Sequence, residues 1–311
     1  MRYQELLNEY LLEMKLTNYS LRTVETYQSN NKRFIKFYKE EFGKYPEVEE
    51  ISKVHYKAFV SHLLDKGLKT TYINTVLKGN KAFWSYVVSE NVVKEHPLAE
   101  IKPLKEPKTI LTTFNHKEVK AMLDYWNFDN FINARNKCII AVFLDTGIRV
   151  GELIGIRERD VSEDHIRVLG KGNKWRVVPL SENLRYFIMK YRRIRDKHFS
   201  GLRNRNGKKR VVDEYLFVNR GGRRINTYAT VEIMVKETGK AVGVRKEVRC
   251  SPHTLRHYYS VTTLQNDQDI YTISKILGHE NIKTTSIYLQ SITNEQILKK
   301  ALKTSPLDFL I

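Results

Sequence analysis

Cysteine is nearly absent from this chain of 311 residues: two occur, Cys138 and Cys250. They match no metal-ligand spacing and make no disulfide framework, and read as two reduced thiols in a cytoplasmic protein. Long apolar runs are missing as well. No stretch approaches the roughly 20 apolar residues that cross a bilayer, and the opening MRYQELLNEY has no secretory apolar core. No internal repeat is found. Acidic residues are in short supply, 35 against 54 Lys and Arg, for a net charge of +19. With 41% hydrophobic and 29% charged residues, the chain is globular rather than disordered. Its length suits one large domain or two ordinary ones.

The charge imbalance predicts a polyanionic partner. It is unevenly spread: residues 1–110 hold 18 basic and 14 acidic side chains, the remaining 201 hold 36 and 21. A membrane surface is the alternative polyanion, but no terminal amphipathic basic helix or lipidation signal favours it.

Apolar residues recur at helical spacing through the first 90 positions. Leu6, Leu7, Tyr10, Leu11 and Met14 make one helix; Val24, Tyr27, Phe34, Ile35 and Tyr38 a second behind an N-cap at Ser20. Val54 to Leu64 make a third, ended by Gly67, and Ile73 to Val88 a fourth. A small bundle with an aromatic core is expected. His96 to Lys108 reads HPLAEIKPLKEPK, an interdomain linker by its three prolines, so the domains are placed at 1–108 and 109–311. Asn115 with Glu118 predicts the capped start of a new helix. Asn133–Leu144 is an apolar helix that Gly147 can stop, with a short helix after it through Leu153. His165–Leu169 and Trp175–Leu180 flank Gly170-Lys171-Gly172-Asn173 as a β-hairpin. Residues 200–212 form a basic loop, helices follow at 227–240, 252–265, 270–277 and 281–289, and a tail helix near 294–303. The fold class is mainly α with a small β-hairpin, an α+β arrangement.

The C-terminal third carries Pro252-His253-Thr254-Leu255-Arg256-His257, then Leu277-Gly278-His279, then Tyr288. Breaking a phosphodiester without metal or cofactor takes a nucleophile, donors for the charge on the non-bridging oxygens, and an acid for the leaving oxygen. Arginine suits the second task because its planar fork grips two oxygens and stays charged. Singly, each of these residues has an ordinary structural reading: a helix cap, a hairpin lysine, one tyrosine among 18.

Together they are specific. LDTGIRVGEL at 144–153 resembles the first arginine box of the tyrosine recombinase (phage integrase) family, with Arg149 and Glu152 in place. VLGKGNKWRVVPL is similar to that family's β-hairpin, with Lys171 at the active turn lysine. His253-Thr-Leu-Arg256 resembles its H-x-x-R box, Leu277-Gly278-His279 its third box, and Tyr288 stands at the nucleophile spacing. The first half resembles the family's helical core-binding domain, and the likeness spans essentially the whole chain.

The resemblance implies that Tyr288 attacks a scissile phosphate of duplex DNA, leaving a 3′-phosphotyrosine and a free 5′ hydroxyl. It assigns Arg149, Arg256 and His279 to the phosphoryl oxygens, Lys171 to the leaving oxygen, His253 to positioning or deprotonating Tyr288, and Glu152 to supporting the basic cluster. His257 is read as a helix-face residue. No metal or other cofactor is expected. The partners implied are duplex DNA at specific sites, a homotetramer assembled on it from free monomers, and possible accessory proteins, in the bacterial cytoplasm at the nucleoid. The tail after Tyr288 would dock on a neighbouring protomer. Arg203, Arg205, Lys208, Lys209, Arg210, Arg220, Arg223 and Arg224 are candidate phosphate contacts along the DNA. A type IB topoisomerase and a non-catalytic DNA-binding regulator of the same fold are the rival readings. With the opening helices already assigned to the core-binding bundle, a separate arm-binding domain is not expected. A small integrase of a mobile element is favoured slightly over a Xer-like resolvase of chromosome dimers.

Overall fold

A computed structural model describes residues 1–107, 112–203, 207 and 211–291 of the chain, with the backbone alone at Lys171, Gln290 and Ser291. The chain divides into two compact units, Met1–Thr109 and Ile110–Ile311. Among the described residues no helix is long and apolar enough to cross a membrane.

The first unit is built from α1 (Tyr3–Leu16), α2 (Leu21–Phe42), α3 (Lys53–Asp65) and α4 (Thr70–Ser89). Ser20 caps α2 by accepting the Thr23 amide at 3.1 Å, and Gly67 follows α3 with φ +68°, a conformation that suits glycine. The periodic positions face inward. Tyr3, Phe34, Tyr56, Phe59, Phe83 and Trp84 are fully buried, with Phe34 stacked on Tyr56 at 4.1 Å. The aromatics are core, as their spacing implies. A polar network runs through that core: the Tyr56 hydroxyl accepts from Trp84 Nε1 at 2.7 Å and donates to Asn80 Oδ1 at 3.1 Å, and the Tyr3 hydroxyl donates to Asn31 Oδ1 at 2.7 Å. Every helix of the unit contributes to it, so helix register is tied to hydrogen-bond satisfaction as well as packing. The proline-rich segment expected to be a linker is partly anchored here. Leu98 is buried, Lys81 Nζ donates to the Ile101 carbonyl at 2.6 Å, and Asn74 exchanges two hydrogen bonds with the Leu104 backbone.

The second unit contains α5 (His116–Tyr125), α6 (Phe131–Thr146), α7 (Val150–Leu153), the antiparallel hairpin β1 (His165–Leu169) and β2 (Trp175–Pro179), and α8 (Glu182–Ser200). It continues through α9 (Tyr228–Ala241), α10 (Pro252–Gln265), α11 (Ile270–Leu277) and α12 (Lys283–Ser286), then a 3-10 turn over Ile287–Ser291. The Asn115–Glu118 capping box forms as the sequence implies, each side chain accepting the other's amide. Helix α6 is the axis of the unit, buried along most of its length, with α8 packed on it through Leu184, Ile188 and Tyr191. The hairpin pairs Ile166 with Val178 and Val168 with Arg176. Where one continuous helix was expected over 281–289, the chain forms a single α turn and then a 3-10 turn. Ile282, Thr284, Thr285 and Ile287 are β-branched and favour helix weakly. The expected tail helix near 294–303 and the docking tail lie outside the described residues.

Candidate active site

Two glycine-terminated helices create the site. Helix α6 ends at Gly147, with φ +58°, and a Cβ there would fall 2.3 Å from Tyr259 Cδ1 and 2.9 Å from Leu277 Cδ2. Helix α11 ends at Gly278, with φ +65°, where a Cβ would meet the Arg176 guanidinium at 3.0 Å. Only glycine satisfies both the backbone and the close approach at these positions. Unused carbonyls at a helix C-terminus carry partial negative charge, and here they receive arginines. Arg256 Nη1 donates to Gly147 O at 2.7 Å and its Nη2 to Leu277 O at 2.8 Å. Arg149 donates to Leu277 O at 3.3 Å and to Gly278 O at 3.4 Å. Arg176 Nε donates to Ile276 O at 2.7 Å.

Glu152 holds the cluster from the other side. Its Oε1 accepts from Arg149 Nη1 at 3.0 Å and Arg176 Nη1 at 2.7 Å; its Oε2 accepts from Arg176 Nη2 at 2.9 Å and the Arg149 amide at 2.8 Å. Burial pushes this carboxyl up, but the hydrogen bonds and charge of Arg176, with Arg149 after it, outweigh that and leave it below its ordinary value. Two guanidiniums share this one carboxylate and Arg256 stands beside them without one, so the cluster keeps a positive surplus. Burial, and then the Arg149 charge, lower Arg256 to about 10. The two clamp arginines differ in access: Arg256 is 2% exposed, while the Arg149 side chain is 40% exposed. Arg149, Lys174, Arg176 and His279 line a concavity of about 410 Å³.

His279 follows Gly278 directly. Its Nε2 lies 2.9 Å from Arg256 Nη2, and its Nδ1 2.8 Å from Thr285 Oγ1. Arginine can only donate, so Nε2 accepts and Nδ1 carries the hydrogen. Burial, then Arg256 and Arg149, hold the ring down to about 4 and neutral.

Tyr288 is 2% exposed, and its hydroxyl lies 2.9 Å from His257 Nδ1. Burial raises its pKa, against the Ser260 hydrogen bond and the Arg256 charge. His257 is lowered to about 4, by burial first and then by His253. Helix α10 carries His253 and His257 one turn apart, with ring centroids 4.1 Å apart. Burial lowers His253 as well. The sequence reading set His253 at the tyrosine and His257 on a helix face; the structure instead brings His257 to the hydroxyl, with His253 packed behind it.

Lys171 sits in the hairpin turn, in the 3-10 segment Lys171–Asn173, and its side chain lies outside the described residues. Its neighbour Lys174 pairs with Glu280 at 3.3 Å. Arg205, Lys208, Lys209 and Arg210 also lie outside the described residues. Of the other basic candidates, Arg203 is exposed near the Gly207 carbonyl, Arg223 pairs with Asp213 at 3.3 Å, Arg224 lies over the Tyr215 ring, and Arg220 is exposed. Arg220 and Arg223 border a separate concavity. Sequence reasoning missed Arg176 and Thr285. A signal existed for Arg176: it shares a strand face with buried Val178, an unusual place for an unpaired arginine. Among the described residues no group of three or more His, Cys, Asp or Glu is arranged to hold a metal ion.

Comparison with known proteins shows the family. Residues 112–295 match the phage integrase family, and residues 6–93 match the phage integrase N-terminal SAM-like domain. A tyrosine recombinase XerC of Thermodesulfovibrio yellowstonii is 30% identical over 272 residues, 86% of this chain and 85% of its own. A tyrosine recombinase XerD of Halalkalibacterium halodurans is 28% identical, covering 92% of this chain and 91% of its own. The fold is shared with the XerH site-specific recombinase bound to palindromic difH substrate (TM-score 0.72, 22% identity, 92% of this chain and 80% of that one). It is shared too with a lambda integrase(75-356) dimer bound to a COC′ core site (TM-score 0.73, 15% identity, 91% and 97%).

Proposed function

The chain belongs to the phage integrase family and is a site-specific tyrosine recombinase, and we propose that Arg149, Lys171, His253, Arg256, His279 and Tyr288, with His257 against the tyrosine hydroxyl, carry its chemistry on duplex DNA. The observation that carries this reading is the convergence of Arg149 and Arg256 on the Leu277 carbonyl, with His279 against Arg256. These groups come from three separate segments of the chain, and together they form a cationic cradle for one phosphoryl group.

In this mechanism the Tyr288 oxygen attacks phosphorus. An O–P bond forms to the tyrosine, the bond from phosphorus to the 5′ oxygen breaks, and the 5′ oxygen takes a proton from Lys171. Arg149 and Arg256 neutralise the non-bridging oxygens, and His279 adds an Nε2–H donor once it takes the tautomer in which Nδ1 accepts from the Thr285 hydroxyl. The tyrosine proton leaves through the histidine pair. His257 faces the hydroxyl, and His253 stands behind it toward solvent. Glu152 and Arg176 keep the cradle in shape. The 3′-phosphotyrosine conserves the energy of the broken bond, so a 5′ hydroxyl from a second duplex reseals it by the reverse steps.

Each site cuts one strand, so exchange between two duplexes takes four protomers on DNA, with free protein monomeric and accessory proteins possible. The cell compartment is the bacterial cytoplasm, at the nucleoid. The XerC and XerD relatives, matched over most of their length, support a Xer-like resolution of chromosome dimers over integration or excision of a mobile element. The domain division proposed is a core-binding unit over 1–108 and a catalytic unit over 109–311. Supercoiled DNA carrying two target sites tests the function. Recombinant products are expected; relaxation without exchange is the outcome a type IB topoisomerase would give.

A further inference from the structure

Away from this site, Arg135 is an unusual charge. It stands on α6 and is 8% exposed. Its donors reach neutral acceptors: Nε and Nη2 to Asn136 Oδ1 at 3.2 and 3.0 Å, Nη1 to the Val218 carbonyl at 3.1 Å. Among the described residues no carboxylate pairs with it, and two of its five N–H bonds are left over by these contacts. Buried charges are normally paired, because removing them from water is costly. Burial lowers its pKa, and nearby Arg220 lowers it further, so its charged neighbour is a second cation.

Arg135 borders a concavity of about 740 Å³ that Ile132, Asn219, Arg220, Arg223 and Thr230 also line. Among the described residues no acidic side chain lines it. The nearest carboxylate on the turn, Asp213, is engaged by Arg223 Nη1 at 3.3 Å and the Arg224 amide at 2.7 Å. The wall is a rigid turn: Asn219 Oδ1 accepts the amides of Gly221 at 2.8 Å and Arg223 at 3.1 Å, and Gly222 turns the chain at φ +76°. Thr230 lies in the first turn of α9, where the helix dipole favours negative charge. Three arginines and a threonine around one concavity repel a metal ion and offer more donors than a planar carboxylate, met by one arginine fork, can use. A tetrahedral anion with three or four oxygens fits that donor set.

We infer that this concavity is a phosphate-binding site, separate from the Arg149–Arg256 cradle, that takes either a backbone phosphate of bound duplex or free inorganic phosphate. The two concavities share no lining residue.

The test is thermal unfolding of the full chain as inorganic phosphate replaces chloride at constant ionic strength. Wild type is compared with an Arg220→Gln/Arg223→Gln double variant, exposed changes that spare the core, and with Arg135→Lys. The cradle also attracts phosphate, so the readout is the difference between proteins. The expected result is a phosphate-induced rise in Tm that the double variant loses by half or more and Arg135→Lys also loses. Repeating the titration with saturating duplex separates the sources. If DNA supplies the phosphate, the difference disappears and the double variant's log Kd against log salt slope is shallower by about 1. If free phosphate is the ligand, the difference persists and the slope is unchanged. Equal phosphate responses in wild type and both variants overturn the inference.

Discussion

His257 Nδ1 lies 2.9 Å from the Tyr288 hydroxyl, 31 residues away in sequence. Both groups are buried, and burial shifts them in opposite directions: the phenol upward, so that it keeps its proton, and the imidazole down to about 4, so that it stays neutral and can accept one. A nucleophile held in its unreactive form needs a base in contact, and the geometry supplies it. His257→Ala is expected to slow covalent attachment about 100-fold, the range of a lost general base, while leaving DNA affinity within about twofold. Single-turnover cleavage beside gel-shift titration separates the two effects. Loss of both in equal measure would reduce His257 to a packing role.

Glu152 is the only carboxylate hydrogen-bonded to Arg149 and Arg176 among the described residues, and removing it leaves two guanidiniums facing each other. Breaking a buried ion pair from one side typically costs about 3–5 kcal/mol; Arg149 is partly solvated, so about 2–3 kcal/mol is expected for Glu152→Ala, read by urea denaturation. Glu152→Gln, which keeps the shape and an acceptor, should recover part of that stability. Arg176→Met should lower cleavage without removing a proposed catalytic group, since it acts through Glu152 and the Ile276 carbonyl.

His257 and His279 both sit near 4 when folded, against about 6.5 in an unfolded chain. Between those values the unfolded state binds more protons, so stability rises with pH and is lost as pH falls from about 6.5 toward 4. Glu152, held below its ordinary value, extends the loss below the carboxylate range. Thermal melts over this window should show Tm falling with acidification. The fall should be smaller in His257→Gln, and an unchanged slope there would contradict the neutral assignment.

Gly147 meets both the left-handed backbone and a ring 2.3 Å from where a Cβ would be. Gly147→Ala is expected to cost roughly 2–4 kcal/mol and to displace Arg149 and the carbonyl that holds Arg256. Denaturant unfolding should show the loss, and cleavage should fall further than the folded fraction accounts for.

Much of this architecture is written locally. The helices of the first unit, the Ser20 and Asn115 caps and the hairpin follow from periodicity and turn residues, and the arginine boxes lie in short ordered strings. What stayed hidden depends on distant contacts. The partner of His257 is a turn of chain 31 positions on, which α10 alone does not reveal. Arg176 reads as one more basic strand residue until β2 packs its inner face toward Glu152. Helix α8 is hard to read locally, because Arg and Lys crowd the sequence around Leu184, Ile188 and Tyr191. The segment after His96 reads as linker because its anchors, Asn74 and Lys81, lie on a different helix.

The central claim is that Tyr288 forms a covalent bond to DNA inside this arginine cradle. Incubation with a nicked suicide duplex carrying the recombination site, followed by denaturing electrophoresis, tests it directly. Wild type should yield a covalent protein–DNA adduct at a 3′ phosphate, and Tyr288→Phe should bind the same duplex and yield none. An adduct that survives Tyr288→Phe, or no adduct with wild type on DNA it binds, would contradict the account.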